Sequence, residues 1–397
     1  MVIRTICAAT LAIFSMICST GARQSRVNDR SPAYVRGLYL NAYRAADVEY
    51  RTRLLDTFGG LINTLVIDIK DTHGYLSYRS GLPVVNQVGA QGMVIENIRS
   101  FVNDLHRRGY YIVGRIVVFR DSRYARYKGG KYGVKVSGTK RLWRDENRFV
   151  WVDPFSEEAW KYNIAIAEEA VKIGFDEIQF DYVRFPSFNG NTEVPYFPNQ
   201  KKMKREDAIL KFLSMAKERI EPYGARISIV LFGYTTWRNH LPGEAQHLYE
   251  MGKRVDVVYP MLYPSHFADD FLKHKQKEKR TYDIVYRSAR RGDSLLRFTD
   301  TRLIAYIQGF TWKQSTLGEN YIAVQMQAAE DADSDGWIVW NAKGEYSETF
   351  HSLVNKQIRI HEPMGRPRFP DISFTVAINE KKPQRFDDRG IEAVLRW

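Results

Sequence analysis

The reactive side chains of this chain fall where apolar runs end. Asp181 closes Ile178-Gln179-Phe180, with Tyr182 and Arg184 just beyond it. Asp68, Lys70 and Asp71 interrupt and end residues 64–71 (TLVIDIKD), and Arg115, Arg120 and Asp121 do the same for 111–121 (YIVGRIVVFRD). Tyr234, Tyr259, Tyr263, His266, Gln308, Asn341 and Glu345 punctuate the later runs. A carboxylate near the end of an apolar strand is costly to bury without a partner or a task. Asp181 is therefore either a catalytic or substrate-binding carboxylate, or one half of an ion pair with an arginine such as Arg115. Asp68 and Lys70 share a strand parity, which makes them an inward-facing acid–base pair or a buried salt bridge. Arg184, three residues beyond Asp181, has the opposite parity and points away from it unless the strand bulges there. Asp71 and Asp121 end their strands as substrate ligands or as caps of the following loops. Asp153, before Pro154, reads as a helix cap, and Asp176 and Glu177, at the start of their run, as structural.

Other chemistries lack their residues. There is no G-x-S-x-G elbow, no P-loop and no H-E-x-x-H. The histidines fall at no metal-ligand spacing, so neither a metal nor a cofactor is expected. Cys7 and Cys18 are the two cysteines, so no thiol nucleophile follows residue 18. Carboxylates remain as general acid and base, the equipment of glycoside hydrolysis. In that reading Asp181 is nucleophile or base and Asp68 its best-placed partner. Lys70, Asp71, Arg115, Asp121, Tyr182, Arg184, Tyr263 and Asn341 are then the substrate-binding groups.

The elements that must position these groups alternate. Strand-like runs at 37–43, 64–71, 111–121, 177–185, 227–235, 255–263, 303–310 and 337–342 alternate with helical patterns. The helical patterns cover 47–58, 92–108, 156–173, 203–221, 243–252, 269–291, 318–332 and 346–357. Eight of each is the count of a (β/α)8 TIM barrel, whose reactive groups sit at the C-terminal ends of its strands. A doubly wound open sheet would carry a glycine-rich turn after the first strand, and Asn41-Ala42-Tyr43-Arg44 has none. Asp153-Pro154 is placed to cap the third helix, and Gly109 and Gly174 to end helices. The loops at 122–155 and 186–202 are long and aromatic, with Tyr124, Tyr127, Tyr132, Trp143 and Trp151 in the first and Phe188, Tyr196 and Phe197 in the second. Such rings suit the faces of sugars, or simply pack the loops.

Three segments follow: 1–22, a barrel domain over 33–357, and a C-terminal extension over 358–397 with Pro363, Pro367 and Pro370. Residues 1–22 pair an early Arg4 with an apolar run over 6–18 and small Thr20 and Ala22 before a cut, the layout of a signal peptide. A lipoprotein reading would use Cys18, but Met16-Ile17 before it are not small. The run is shorter than the ~20 residues of a membrane span, and none is expected after the cut. The expected location is periplasmic or extracellular. A composition of 44% hydrophobic and 13% aromatic residues excludes a disordered chain. In an exported protein a net charge of +13 points less to nucleic acid than to an acidic glycan or the anionic envelope. The basic stretches 201–205 and 273–280 fall on helices, as solvated faces or as a patch for such a polymer.

Residues 66–74 (VIDIKDTHG), 114–121 (GRIVVFRD), 151–154 (WVDP) and 174–186 (GFDEIQFDYVRFP) together resemble a bacterial glycoside hydrolase family long catalogued as a domain of unknown function. The resemblance runs through most of 33–350, and the last motif is its most specific part. It implies a (β/α)8 barrel related to that of α-amylase-like enzymes, and glycosidase chemistry. Those enzymes carry their nucleophile at the end of strand four, a position Asp181 matches. Their general acid is a glutamate ending strand five, and 227–237 holds no carboxylate. Asp68, Asp71, Asp121 or Glu345 is left for that role. The expected activity is glycoside hydrolysis of an extracytoplasmic polysaccharide or oligosaccharide by two carboxylates; the alternative is a catalytically silent barrel that binds an anionic envelope glycan.

Overall fold

A computed structural model describes residues 30–188, 193–312 and 319–354. The expected export segment over 1–22 and C-terminal extension over 358–397 lie outside the described residues. Eight parallel strands close a barrel: β1 (Val35–Leu40), β2 (Thr64–Lys70), β3 (Tyr111–Val117), β4 (Glu177–Asp181), β5 (Arg226–Phe232), β6 (Val257–Met261), β7 (Ala305–Gln308) and β8 (Gly336–Trp340). The seam closes where Val35 of β1 pairs with Gly336 of β8, while β1 pairs on its other side with β2. Gly336 is required there, because its φ is 144° and a Cβ would lie 2.2 Å from the Val35 carbonyl oxygen.

Eight helices cover the strands: α1 (Val48–Thr57), α2 (Ile98–Arg107), α3 (Glu157–Ile173), α4 (Arg205–Ile220), α5 (Leu248–Gly252), α6 (Lys277–Leu296), α7 (Glu319–Asp331) and α8 (Ser347–Val354). With helices outside and a packed lumen inside, every residue of β2 and β3 is buried, which is why these strands are near-continuously apolar. Alternation sorts their side chains. Val66, Tyr111, Val113, Tyr259, Tyr306 and Ile338 pack together in the lumen, while Leu65, Ile67, Ile112, Phe180 and Ile229 join the layer beneath the helices.

Several boundaries differ from the sequence expectation. Gln91–Ile95 is a strand, paired with Leu76–Tyr78 on the flank of β2, so α2 starts only at Ile98. Asp153 does not cap α3; a turn from Asp153 to Ser156 separates it from the helix, and the Ser156 side chain accepts from Ala159 N–H instead. Asp153 joins two loops, accepting from Phe155 N–H and from the backbone and side chain of Asn199. The loop after β3 has structure of its own, including a helix at Ser122–Gly130 and a short strand, Lys135–Val136, that pairs with Pro195–Tyr196 of the loop after β4. Among the described residues, no helix is long and apolar enough to cross a membrane.

Candidate active site

β4 sends Glu177, Gln179 and Asp181 inward at three successive heights. At the floor, Glu177 accepts from the Tyr259 and Tyr111 hydroxyls at 2.8 and 3.1 Å. Burial pushes its carboxyl up, against the pull of these hydrogen bonds. One level higher, Tyr306 donates to Gln179 at 2.6 Å. Asp181 forms the top level, at the mouth.

Arg115 of β3 lies between two carboxylates. Its Nη1 donates to Asp68 Oδ1 at 2.7 Å, and its Nε and Nη2 donate to Asp181 Oδ2 at 2.9 and 2.7 Å. The strand register places Asp68 directly beside Arg115, which explains why neighbouring strands bring these two together. Tyr39 donates to the other Asp68 oxygen at 2.6 Å, and Tyr182 N–H donates to Asp181 Oδ1 at 2.6 Å. The Tyr39 ring stacks on Trp340 at 3.7 Å, with Arg115 5.0 Å from the Trp340 ring. Burial raises the Asp68 carboxyl, although Arg115 and Tyr39 oppose it. Burial pulls on Arg115 in the opposite sense, but Asp68 and Asp181 more than offset that, holding the guanidinium well above its ordinary value. Asp181 thus pairs with Arg115 and also faces open space.

That space is a cavity of about 340 Å³ at the C-terminal end of the barrel. Asp68, Asp71, Arg115, Asp181, Tyr182, Arg184, Tyr263 and Asn341 all line it. Asp71 receives backbone N–H groups from His73 and Tyr75 on Oδ1, each at 2.9 Å, and no side chain among the described residues is hydrogen-bonded to it. Burial pushes its carboxyl up. Asn341 spends its side chain on structure, donating to the Gly309 and Glu345 carbonyls and accepting from Lys343 N–H.

Lys70 and Asp121 are elsewhere. The β2–β3 register slips between Asp68 and Lys70, which reverses the alternation and turns Lys70 out of the lumen. There it meets Asp121 at 2.6 Å, both side chains fully buried, with the Lys70 ammonium 5.1 Å from the Tyr162 ring of α3. Asp121 also caps the helix Ser122–Gly130. The expected inward Asp68–Lys70 pair is therefore not formed. A second break in alternation works the other way. Tyr182 has a φ of 53°, so the chain after Asp181 turns and carries Arg184 into the cavity instead of away from it. Arg120 holds Tyr182 by its hydroxyl at 2.8 Å and is itself anchored on Asp145 at 3.0 Å.

The loop aromatics expected to meet sugars largely pack the loops: Trp143, Trp151, Tyr124 and Tyr132 are buried in the core. The rings lining the cavity come instead from strand ends, among them Tyr39, Phe232, Tyr306 and Trp340, joined by Phe149 and Tyr182. Inward parity along the strands was the signal for Tyr39, Phe232, Tyr306 and Trp340. At the end of β5 the cavity meets Val230 and Phe232, while Glu244 in the following loop accepts from Ser187 at 2.6 Å and is not part of the lining. Among the described residues no three His, Cys, Asp or Glu side chains converge as a metal site.

No curated protein matches the chain. The glycoside hydrolase domain of PgaB (BpsB) from Bordetella bronchiseptica shares the fold, at 14% identity over 82% of this chain and 96% of that one, with a TM-score of 0.56. A hypothetical protein from Ruminiclostridium thermocellum is 34% identical over 49% of this chain and 96% of its own, with a TM-score of 0.44. The family described as "Putative glycosyl hydrolase domain" matches residues 37–346, a span that runs from β1 through β8 and contains each residue of the Tyr39–Asp68–Arg115–Asp181 network. The chain belongs to that family.

Proposed function

We propose that the protein is a glycoside hydrolase that cleaves its substrate at Asp181. The observation that carries this reading is the placement of Asp181. It ends β4 at the barrel mouth, is oriented by three N–H donors, and still lines a cavity walled by aromatic rings. Asp181 supplies the carboxylate at the anomeric carbon, attacking it directly or through a water. The proton for the leaving oxygen comes from Asp71. Its carboxyl is raised by burial and free of side-chain donors, so in its protonated form it can donate into the cavity. Asp68 is less suited to that step, because Arg115 and Tyr39 present donors to both of its oxygens. It holds Arg115, and Arg115 holds Asp181. The substrate is an extracytoplasmic polysaccharide, a reading supported by the composition of residues 1–22 and by the +13 charge. Val230 and Phe232 at the end of β5 favour a second reading, a silent barrel that binds a glycan.

Release of reducing sugar from a panel of acidic and neutral polysaccharides separates the two. Asp181→Asn should lower the rate by roughly 10³-fold or more while the protein keeps a cooperative thermal transition. An Asp181→Asn protein as active as wild type overturns the assignment. Wild-type protein that binds a glycan but cleaves none on the panel leaves the binding reading. The anomeric configuration of the first product, followed by NMR, tells direct attack from attack through water.

A further inference from the structure

We infer that Arg184 is a recognition site for an anionic substituent on the glycan, so that the protein discriminates acidic sugars from neutral ones. This rests on the glycoside hydrolase reading only for the position of the cavity; the recognition itself is a separate property of one side chain.

The three arginines that line the cavity are engaged differently. Arg115 is shared between Asp68 and Asp181. Arg120 is paired with Asp145 and donates to Tyr182. Arg184 is different. It is 5% exposed, yet no carboxylate among the described residues lies within ion-pair distance of it. Its one hydrogen bond runs from Nη1 to the Phe185 carbonyl at 3.1 Å. Nε and Nη2 have no hydrogen-bond partner among the described residues, and neither belongs to the buried atoms that are sealed without one. These two nitrogens form the edge of a guanidinium that takes a planar carboxylate or a sulfate through two parallel hydrogen bonds. Glu244, a carboxylate that acts on it electrostatically, accepts a hydrogen bond from Ser187.

A buried cation without a direct partner is costly, and burial lowers the Arg184 guanidinium from its ordinary value. Three rings compensate in part: Phe232, Trp151 and Tyr182 lie 4.7, 4.9 and 5.1 Å from its central carbon. The left-handed Tyr182 brings the side chain into this cage. Rings surround the group, the Phe185 carbonyl takes Nη1, and Arg184 lines the same cavity as Asp181. An anion seated there replaces the missing partner. A carboxylate of a hexuronic acid and a sulfate ester share the required chemistry, and their different shapes allow the source to be read.

The experiment measures binding by calorimetry to the full chain carrying Asp181→Asn, so that no substrate is consumed. The probes are hexuronic-acid oligosaccharides, their carboxyl-reduced neutral counterparts, and sulfated oligosaccharides of the same backbone. Acidic probes should bind on the order of 10- to 100-fold more tightly than the reduced ones. Arg184→Gln should erase that preference, and Arg184→Lys, which keeps the charge but loses the fork, should restore only part of it. Tighter binding of uronates identifies a carboxylate, and tighter binding of sulfated probes a sulfate. If either substituted protein fails to fold, the comparison of charged and reduced probes on the Arg184 protein decides alone. Equal binding of charged and neutral probes, no binding of any acidic probe, or an undiminished preference in Arg184→Gln overturns the proposal. Cleavage of neutral glycans without acidic preference would remove this inference and leave the hydrolase reading intact. Arg184-dependent acidic binding by a protein that hydrolyses nothing would do the reverse.

Discussion

Asp68 and Asp71 sit three residues apart and burial raises both carboxyls, but their partners give them different work. Asp68 accepts from an arginine and a phenol, one on each oxygen; Asp71 faces backbone N–H groups and the cavity. A general acid must be protonated, so activity should fall as pH rises through the raised Asp71 value. Asp71→Asn should remove that descending limb and lower kcat by about 10²- to 10⁴-fold on natural linkages. On aryl glycosides whose leaving group needs no proton the loss should be much smaller. Loss of equal size on both substrates would count against Asp71 as the acid. Asp181, Asp68 and Arg115 were legible in the sequence because a charge inside an apolar strand announces itself. The parities expected of Arg184 and Lys70 misled, since they depend on a left-handed Tyr182 and a slipped register that no residue type signals.

Those two irregularities belong to elements rather than residues. The slip in β2 ties the strand to the loop after β3 through Lys70 and Asp121, a pair sealed beneath α3. Removing one partner leaves a buried charge behind, so Lys70→Met should destabilise the fold by ~3–5 kcal/mol in urea titrations. Loss of sugar release should then track loss of folded protein; a normally stable but inactive Lys70→Met protein would return Lys70 to the substrate. The strands themselves were readable, because residues buried on both faces write continuous apolar runs. The loops were not. Trp143 and Trp151 have the composition of a sugar platform but pack the loop after β3 onto the core.

At the scale of the whole molecule the count of eight strands and eight helices carried the architecture, while closure rests on Gly336, whose role only the seam reveals. The lumen makes a prediction of its own. A carboxyl raised on folding, such as Glu177, stabilises the fold fully below its ordinary value of 4.5, and that contribution is lost as pH rises through the raised value. Glu177→Gln is neutral throughout and does not lose it. The difference in Tm should therefore move in favour of Glu177→Gln from acid to neutral pH, and a difference independent of pH would show that Glu177 does not titrate on folding. The same filled lumen governs traffic. Tyr111, Tyr259 and Tyr306 close on Glu177 and Gln179 below Asp181, so a polymer cannot thread through the barrel. On the hydrolase reading, a glycan chain end reaches Asp181 by descending from the mouth, whereas an internal linkage is cut lying across the rim.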